Sequence, residues 1–350
     1  MSAKLLLYGA NGYTGELIAR LAVEQGLRPI LAARKPEKIA PLAVELGLDY
    51  RAFALDDEAA IDSALTDITV VLHCAGPFSQ TSSPMVASCL RTQTHYLDIT
   101  GEVAVFEQVA SQDAAAKNAS VMLLPGVGFD VVPSDCLAAH LKRRLPTATR
   151  LLLGIQALGR ISRGTAKTML EAQDGGLIRQ NGILTPVPTA FKTRSIDFGQ
   201  GEVQAITIPW GDVSTAFYST GIPNIEVYAA FPTIMRVGAI ASRYLGWLLK
   251  LPAVQNLQKS LIQNQPPGPT EIERLQGKSY LWGEVEDSTG KRLVTRLQCP
   301  EGYMLTTLTA LKIAQKVLVG EYTCGFQTPS LAYGADFILE FPGVVREDVE

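Results

Sequence analysis

The 350-residue sequence predicts an α/β protein, with a Rossmann-type parallel sheet first and a second α+β domain built on a mixed or antiparallel sheet. Three observations predict it. Strand-like apolar runs alternate with helix-periodic segments from the N-terminus to Val132, the pattern of parallel βαβ units. Past Pro133 that alternation stops, and β-rich runs crowd together between Gly, Pro and Asp. A glycine-rich turn joins the first strand to the first helix. The expected domains are therefore 1–132 and 133–324.

The opening run Leu5-Leu6-Leu7-Tyr8 reads as a buried strand, and Gly9-Ala10-Asn11-Gly12-Tyr13-Thr14-Gly15 as the turn and helix start that follow it. Each glycine has a job. Gly9 permits a tight exit from the strand, Gly12 lets backbone amides approach a pyrophosphate, and Gly15 lets the helix lie close to the sheet. A phosphate beside Asn11, Tyr13 and Thr14 would meet a helix N-terminus, where free N–H groups and the dipole favour an anion. The spacing is G-x-x-G-x-x-G rather than G-x-G-x-x-G, so the glycines alone also suit a β-to-α turn of another kind.

Leu17, Ile18, Leu21 and Ala22 carry helical period up to Gly26, and Pro29 to Ala33 forms the second strand. About twenty residues past the glycines, an NAD-specific site places an acid on the ribose 2′-hydroxyl. Here the residue is Arg34, with Lys35 and Lys38 nearby. A guanidinium suits a 2′-phosphate, so the expected cofactor is NADP; a solvated cluster opening a helix at Pro36 is the alternative. Strands follow at 48–54, 70–75, 94–99 and 120–124, with helices at 59–65 and 86–90. The loops after these strands line the cofactor crevice in a doubly wound sheet, which adds Ala75, Gly76, Pro77 and Phe78, then Gly128 and Phe129, to the expected cofactor-binding residues.

In the second half, a helix capped by Ser134 or Asp135 runs to Leu145. Strands are expected at 149–159, 194–198, 203–209, 216–218 and 225–231, with a short helix at 165–173. Pro266-Pro267-Gly268-Pro269 marks a loop, residues 279–285 and 293–299 form a hairpin around Asp287-Ser288-Thr289-Gly290, and 304–318 is a helix.

Composition narrows the function classes. With 47% hydrophobic residues the chain can bury a large core, and a net charge of −3 gives no bulk attraction to nucleic acid. Five scattered cysteines without a C-x-x-C pair suggest reduced thiols in a cytoplasmic protein, and the N-terminus enters a strand too soon for a secretory leader. Three scattered histidines point to no metal. Residues 234–251 are mostly apolar, but Arg236, Arg243 and Lys250 interrupt them. That argues against a transmembrane span and leaves a basic amphipathic helix, more often a solvated face than a membrane or oligomer contact. A homodimer is expected.

Hydride transfer asks the protein for orientation and a proton donor. The candidates on the crevice loops are Tyr96, Asp98, Glu102 and Asp130, with Lys167 and Arg179 from the second domain. Asp98 and Glu102 have an equal alternative as caps of backbone amides. Arg160, Arg163 and Arg179 are candidates to clamp a carboxylate, with a surface role as the default. Neither a Tyr-x-x-x-Lys pair nor G-x-S-x-G occurs.

Taken together, Tyr8–Gly15, Ala33-Arg34 with Lys38, Cys74–Phe78, Tyr96–Glu102 and Gly126–Pro133 resemble the saccharopine dehydrogenase-like oxidoreductases, a family that includes the trans-acting enoyl reductases. The resemblance implies an NADP-binding Rossmann domain, a second α+β domain and a C-terminal segment, 325–350, returning to the first. It does not imply saccharopine as substrate, because Gly128-Phe129-Asp130 stands where saccharopine-forming enzymes carry a Gly-Asp-Pro-rich turn. The expected activity is NADP-dependent reduction of a C=C, C=O or C=N bond of a small or carrier-bound substrate in the cleft between the domains. The alternative is a non-catalytic NADP sensor or scaffold, at a membrane surface through 234–251.

Overall fold

Parallel strands whose side chains are buried on both faces need helices on both faces, and the N-terminal part of the chain is built that way. The computed structural model describes residues 3–157, 159–166, 175–249, 251, 254, 260, 261 and 263–349. They form two units, 1–132 with 303–333, and 133–302 with 334–350.

In the first unit, β1 (Leu5–Tyr8), β2 (Ile30–Ala33), β3 (Tyr50–Ala52), β4 (Val70–His73), β5 (His95–Asp98) and β6 (Met122–Leu124) alternate with helices. Those helices are α1 (Tyr13–Glu24), α2 (Pro36–Leu46), α3 (Glu58–Leu65), α4 (Phe78–Thr92), α5 (Val103–Ala110) and α6 (Asp113–Asn118). The strand order is β3-β2-β1-β4-β5-β6, and every pairing is parallel. Gly325–Phe326 adds a seventh parallel strand beside β6. All the β-to-α loops therefore emerge on one edge. Leu6, Leu7, Leu31, Val71, Leu72, Leu97 and Leu123 are fully buried, as an all-parallel sheet demands.

The second unit opens with α7 (Val132–Arg144) and holds a mixed sheet in which Ala148–Ala157 runs parallel to Asn224–Ala230 and antiparallel to Lys278–Asp287. Its path continues through Arg292–Pro300 to Val345–Val349. Gly283 lets this sheet approach α7, since a Cβ there would meet Leu141 at 2.5 Å.

The structure corrects several expectations. Residues 216–218 are not a strand but part of a helix, Asp212–Thr220, which Gly221 ends in the left-handed region at φ 68°. Helix α4 starts eight residues before the expected 86, with Pro84 inside it. The hairpin Gly176–Gln180 with Ile183–Val187 was not foreseen. The C-terminal expectation divides: 303–333 joins the first unit, whereas 334–350 joins the second. The reason is pairing. Phe326 extends the parallel sheet, while Val345–Val349 extends the mixed one and Arg346 binds Asp336 at 2.6 Å. Of the expected helix 165–173, residues 163–166 are helical and 167–173 lie outside the described residues. No helix among the described residues is long and apolar enough to cross a membrane.

Candidate cofactor site on the parallel-sheet edge

The Gly9 turn is built for close approach. Gly9 has φ 82°, and a Cβ there would sit 2.8 Å from the Ala75 nitrogen, so the loops after β1 and β4 touch through a missing side chain. A Cβ on Gly15 would lie 2.4 Å from the Gly9 carbonyl oxygen. Any larger residue would push α1 off the sheet. Gly12 is the N-cap of α1 and offers no side-chain cap to its first turn. Thus the start of α1 keeps its field and its amide face for an anion, with Asn11 and Gly12 exposed beside it. Tyr13 packs edge-on against Tyr303 at 5.2 Å.

Arg34 stands at the C-terminal end of β2, exposed, with Lys35 and Lys38 exposed next to it. It is near enough to Tyr8 for its charge to oppose the burial that pushes that phenol up to about 12. This is the edge position at which a doubly wound sheet meets the adenosine ribose. The glycine turn and the cation thus fit a 2′-phosphorylated dinucleotide on geometry.

Phe78 and Ser79 open α4, and the Glu102 carboxylate accepts their N–H groups at 2.7 and 2.8 Å. Glu102 is therefore a cap on α4, the second of its two expected roles, although on a helix from a different loop. Gly76-Pro77 is a cis peptide, and Thr81 donates to the Ala75 and Pro77 carbonyls at 2.7 and 3.0 Å.

Asp98 is fully buried at the end of β5. Its carboxylate accepts from Tyr96 Oη at 2.7 Å and from the Thr100 and Gly126 amides, both at 2.9 Å. It ties the loop after β5 to the loop after β6. Burial pushes its carboxyl up to about 6 despite these donors, and burial raises the Tyr96 phenol well above its ordinary value. Tyr96 and Asp98 are both closed off from solvent, which gives them a structural task and sets them apart from a donor that must meet substrate.

Asp130 differs. It is half-buried, its carboxyl is 2.9 Å from where a Gly101 Cβ would stand, and no hydrogen bond reaches it among the described residues. Burial pushes it up to about 7. The loop that carries it is held by helix Gly302–Leu318: Thr306 Oγ1 accepts the Phe129 N–H at 2.9 Å, and Thr309 donates to the Val127 carbonyl at 2.8 Å. A side chain on Gly128 would strike Thr306 at 2.9 Å. Thr306, Thr309 and Tyr303 lie far along the chain with no motif to flag them; only the fold shows that they support this edge.

The remaining candidates fall in the second unit's stretch of sequence, 133–302. Lys167 lies outside the described residues. Arg179 is buried in the second unit, donating to the Val213 and Gly182 carbonyls at 2.8 Å each and stacked 4.3 Å from the Phe217 ring. Such bonding suits a structural arginine rather than a substrate clamp. Arg160 pairs with Glu273 at 3.3 Å.

A parallel sheet in this strand order, with an open helix start at its first loop and a cation at its second, defines a dinucleotide-binding domain of the Rossmann class. Residues 5–124 match the family described as saccharopine dehydrogenase NADP binding domain, so the first unit holds an NADP-binding domain of that kind. The trans-acting enoyl reductase of Mycobacterium leprae (strain TN) is 34% identical over 151 residues, 40% of this chain and 36% of that protein. That of Mycobacterium tuberculosis (strain ATCC 25618 / H37Rv) is 31% identical over 150 residues, 40% and 35% of the two chains. The matches span about a third of each relative's length. Over the whole chain, the fold is similar to apo saccharopine dehydrogenase (L-Glu forming) from Saccharomyces cerevisiae, with TM-score 0.66, 12% identity and 100% of both chains covered.

Proposed function

We propose that this chain is an NADPH-dependent reductase acting on a C=C, C=O or C=N bond of a small or carrier-bound substrate. The observation that carries the reading is the conjunction, on one sheet edge, of the open α1 start, Arg34, and a half-buried Asp130 poised near neutrality. Relatives named trans-acting enoyl reductases favour the C=C bond and a carrier-bound acyl group within that set.

Bound NADPH supplies the hydride. Gly9, Asn11, Gly12, Tyr13, Thr14 and Gly15 would hold its diphosphate, Arg34 and Lys38 its 2′-phosphate, and Ala75, Gly76, Pro77, Phe78, Gly128 and Phe129 would line its approach. Asp130 in its acid form holds a proton at its carboxyl for the substrate atom that gains negative charge as the neighbouring carbon takes hydride. A carboxyl titrating near 7 is matched to that task at neutral pH. Asp98 and Glu102 keep the two loops beside Asp130 in place.

The test is NADPH oxidation against enoyl thioesters, ketones and imino acids, with Asp130→Asn in parallel. One substrate class should turn over, and Asp130→Asn should lower kcat by about 10²- to 10⁴-fold while NADPH binds as before. Tight NADPH binding without turnover of any class would favour the sensor instead. An Asp130→Asn rate near that of the unmodified chain would remove Asp130 from the chemistry.

A further inference from the structure

A surface helix in the second unit presents its residues the wrong way round for a folded monomer. Thr233–Leu249 is helical, yet none of its described side chains, 233 to 243, is buried. Arg236 and Arg243, seven residues apart on one face, turn toward the protein: Arg236 donates to the Gln204 carbonyl at 3.4 Å and Arg243 to the Thr189 carbonyl at 2.6 Å. The opposite face carries Ile234, Val237 and Ala241, and Leu245 and Leu248 follow at the same spacing in the sequence. Ile234 is 82% exposed, Val237 57% and Met235 55%. Exposed apolar residues in a row of this kind mark a contact surface.

Charge selects the occupant. From Val227 to Thr270 the sequence has no Asp or Glu and has four cations, Arg236, Arg243, Lys250 and Lys259, in a chain of net charge −3. Hydrogen bonds to neutral carbonyls leave the arginine charges in full. A second copy docked here about a two-fold axis would set this positive segment against itself with no acid of its own to neutralise it. An acidic protein partner would pair side chain to side chain with these guanidinium groups, which are turned toward carbonyls instead, whereas an anionic lipid surface acts on the net charge of the segment within a Debye length, and what faces outward is aliphatic. A positive segment with an aliphatic outer face, Tyr244 and Trp247 in its sequence, and no acid within it has the composition of a helix lying in an anionic lipid interface.

We infer that helix Thr233–Leu249 seats the protein on an anionic lipid surface, with Ile234, Met235 and Val237 entering the interface and the surrounding cations drawing it there. Leu251 and Leu261, 42% and 57% exposed, are further exposed apolar residues of the acid-free segment. The inference does not rest on the reductase reading; a lipid-bound chain would be equally compatible with an NADP sensor.

The test uses the full chain with sedimented vesicles of phosphatidylcholine and phosphatidylglycerol, against phosphatidylcholine alone, with light scattering for oligomeric state. Association with the anionic vesicles should be about tenfold stronger, and should weaken as salt rises. The double variant Ile234→Asp, Val237→Asp should lose about tenfold or more of it, with NADPH affinity intact as the measure of folding. Lys250→Glu with Lys259→Glu should reduce the anionic preference, because the formal charge of residues 227–270 falls from +4 to zero. No association with either vesicle, or association that the aspartates leave unchanged, overturns the inference. A dimer abolished by the aspartates, in protein that ignores vesicles, would overturn it in favour of a second copy.

Discussion

At the scale of single residues, the edge of the parallel sheet shows how similar side chains are given different work by their surroundings. Asp98 and Asp130 are both carboxyls that burial pushes upward, but Asp98 accepts three donors and Asp130 accepts none among the described residues. Removing Asp98 strands two buried amides and the Tyr96 hydroxyl, so Asp98→Ala should cost about 2–5 kcal/mol in a denaturant titration. NADPH affinity should fall with it, because the loops after β5 and β6 lose their tie. Arg34→Ala should instead leave stability unchanged and weaken NADPH binding by about 10- to 100-fold, with NADH binding little affected. Equal loss of both cofactors in a calorimetric titration would assign Arg34 another role. The place of Arg34 at the end of β2 was legible because it depends only on distance from the glycines along a βαβ unit. The sequence left the tasks of Asp98 and Glu102 open, since whether a carboxylate meets amides or substrate is decided by loops brought together from distant strands.

At the scale of elements, the first sheet could be read from the chain because each of its buried strands is a short apolar run between punctuation residues. The helix on 212–220 could not, since Ala216-Phe217-Tyr218 has strand composition and its helical state comes from packing its buried face, Val213 to Ala216, against the mixed sheet. The hairpin 176–187 did announce itself through Asn181-Gly182, which both take positive φ, 50° and 80°, at its turn. Within α4, the Glu102 carboxylate is the element's start signal even though it is 24 residues away in sequence. Glu102→Ala should expose the Phe78 and Ser79 amides and cost about 0.5–2 kcal/mol in thermal or denaturant unfolding, with faster hydrogen exchange confined to the first turn of α4. Glu102→Gln keeps an acceptor and should recover part of the loss.

At the scale of the whole molecule, stability should depend on pH through the two raised carboxyls. An unfolded Asp titrates near 3.8, whereas Asp98 and Asp130 titrate near 6 and 7 in the fold. Between those values the native state holds more protons than the unfolded chain, so the contribution of these groups falls as pH rises from about 4 to about 7. Asp130→Asn should flatten that slope and be more stable than the parent at pH 8, by up to about 4 kcal/mol in urea titrations. Asp336 works in the opposite sense: Arg143 and Arg346 hold its carboxyl well below the usual range, so its small, half-exposed contribution is present above pH 4 and lost on acidification. The route of the chain matters as much as its charges. It leaves the first unit at Val132, builds most of the second, returns for 303–333, and crosses again for its last strand. A ribosome must therefore make roughly 200 residues after β6 before Phe326 emerges to cover that strand's open edge. At about 5–20 residues per second, the parallel sheet waits some 10–40 s with an unpaired border and without Thr306 and Thr309 to hold the loop of Asp130. For that interval the nascent chain has a cofactor site in outline only, and the cell's chaperones meet it in that condition.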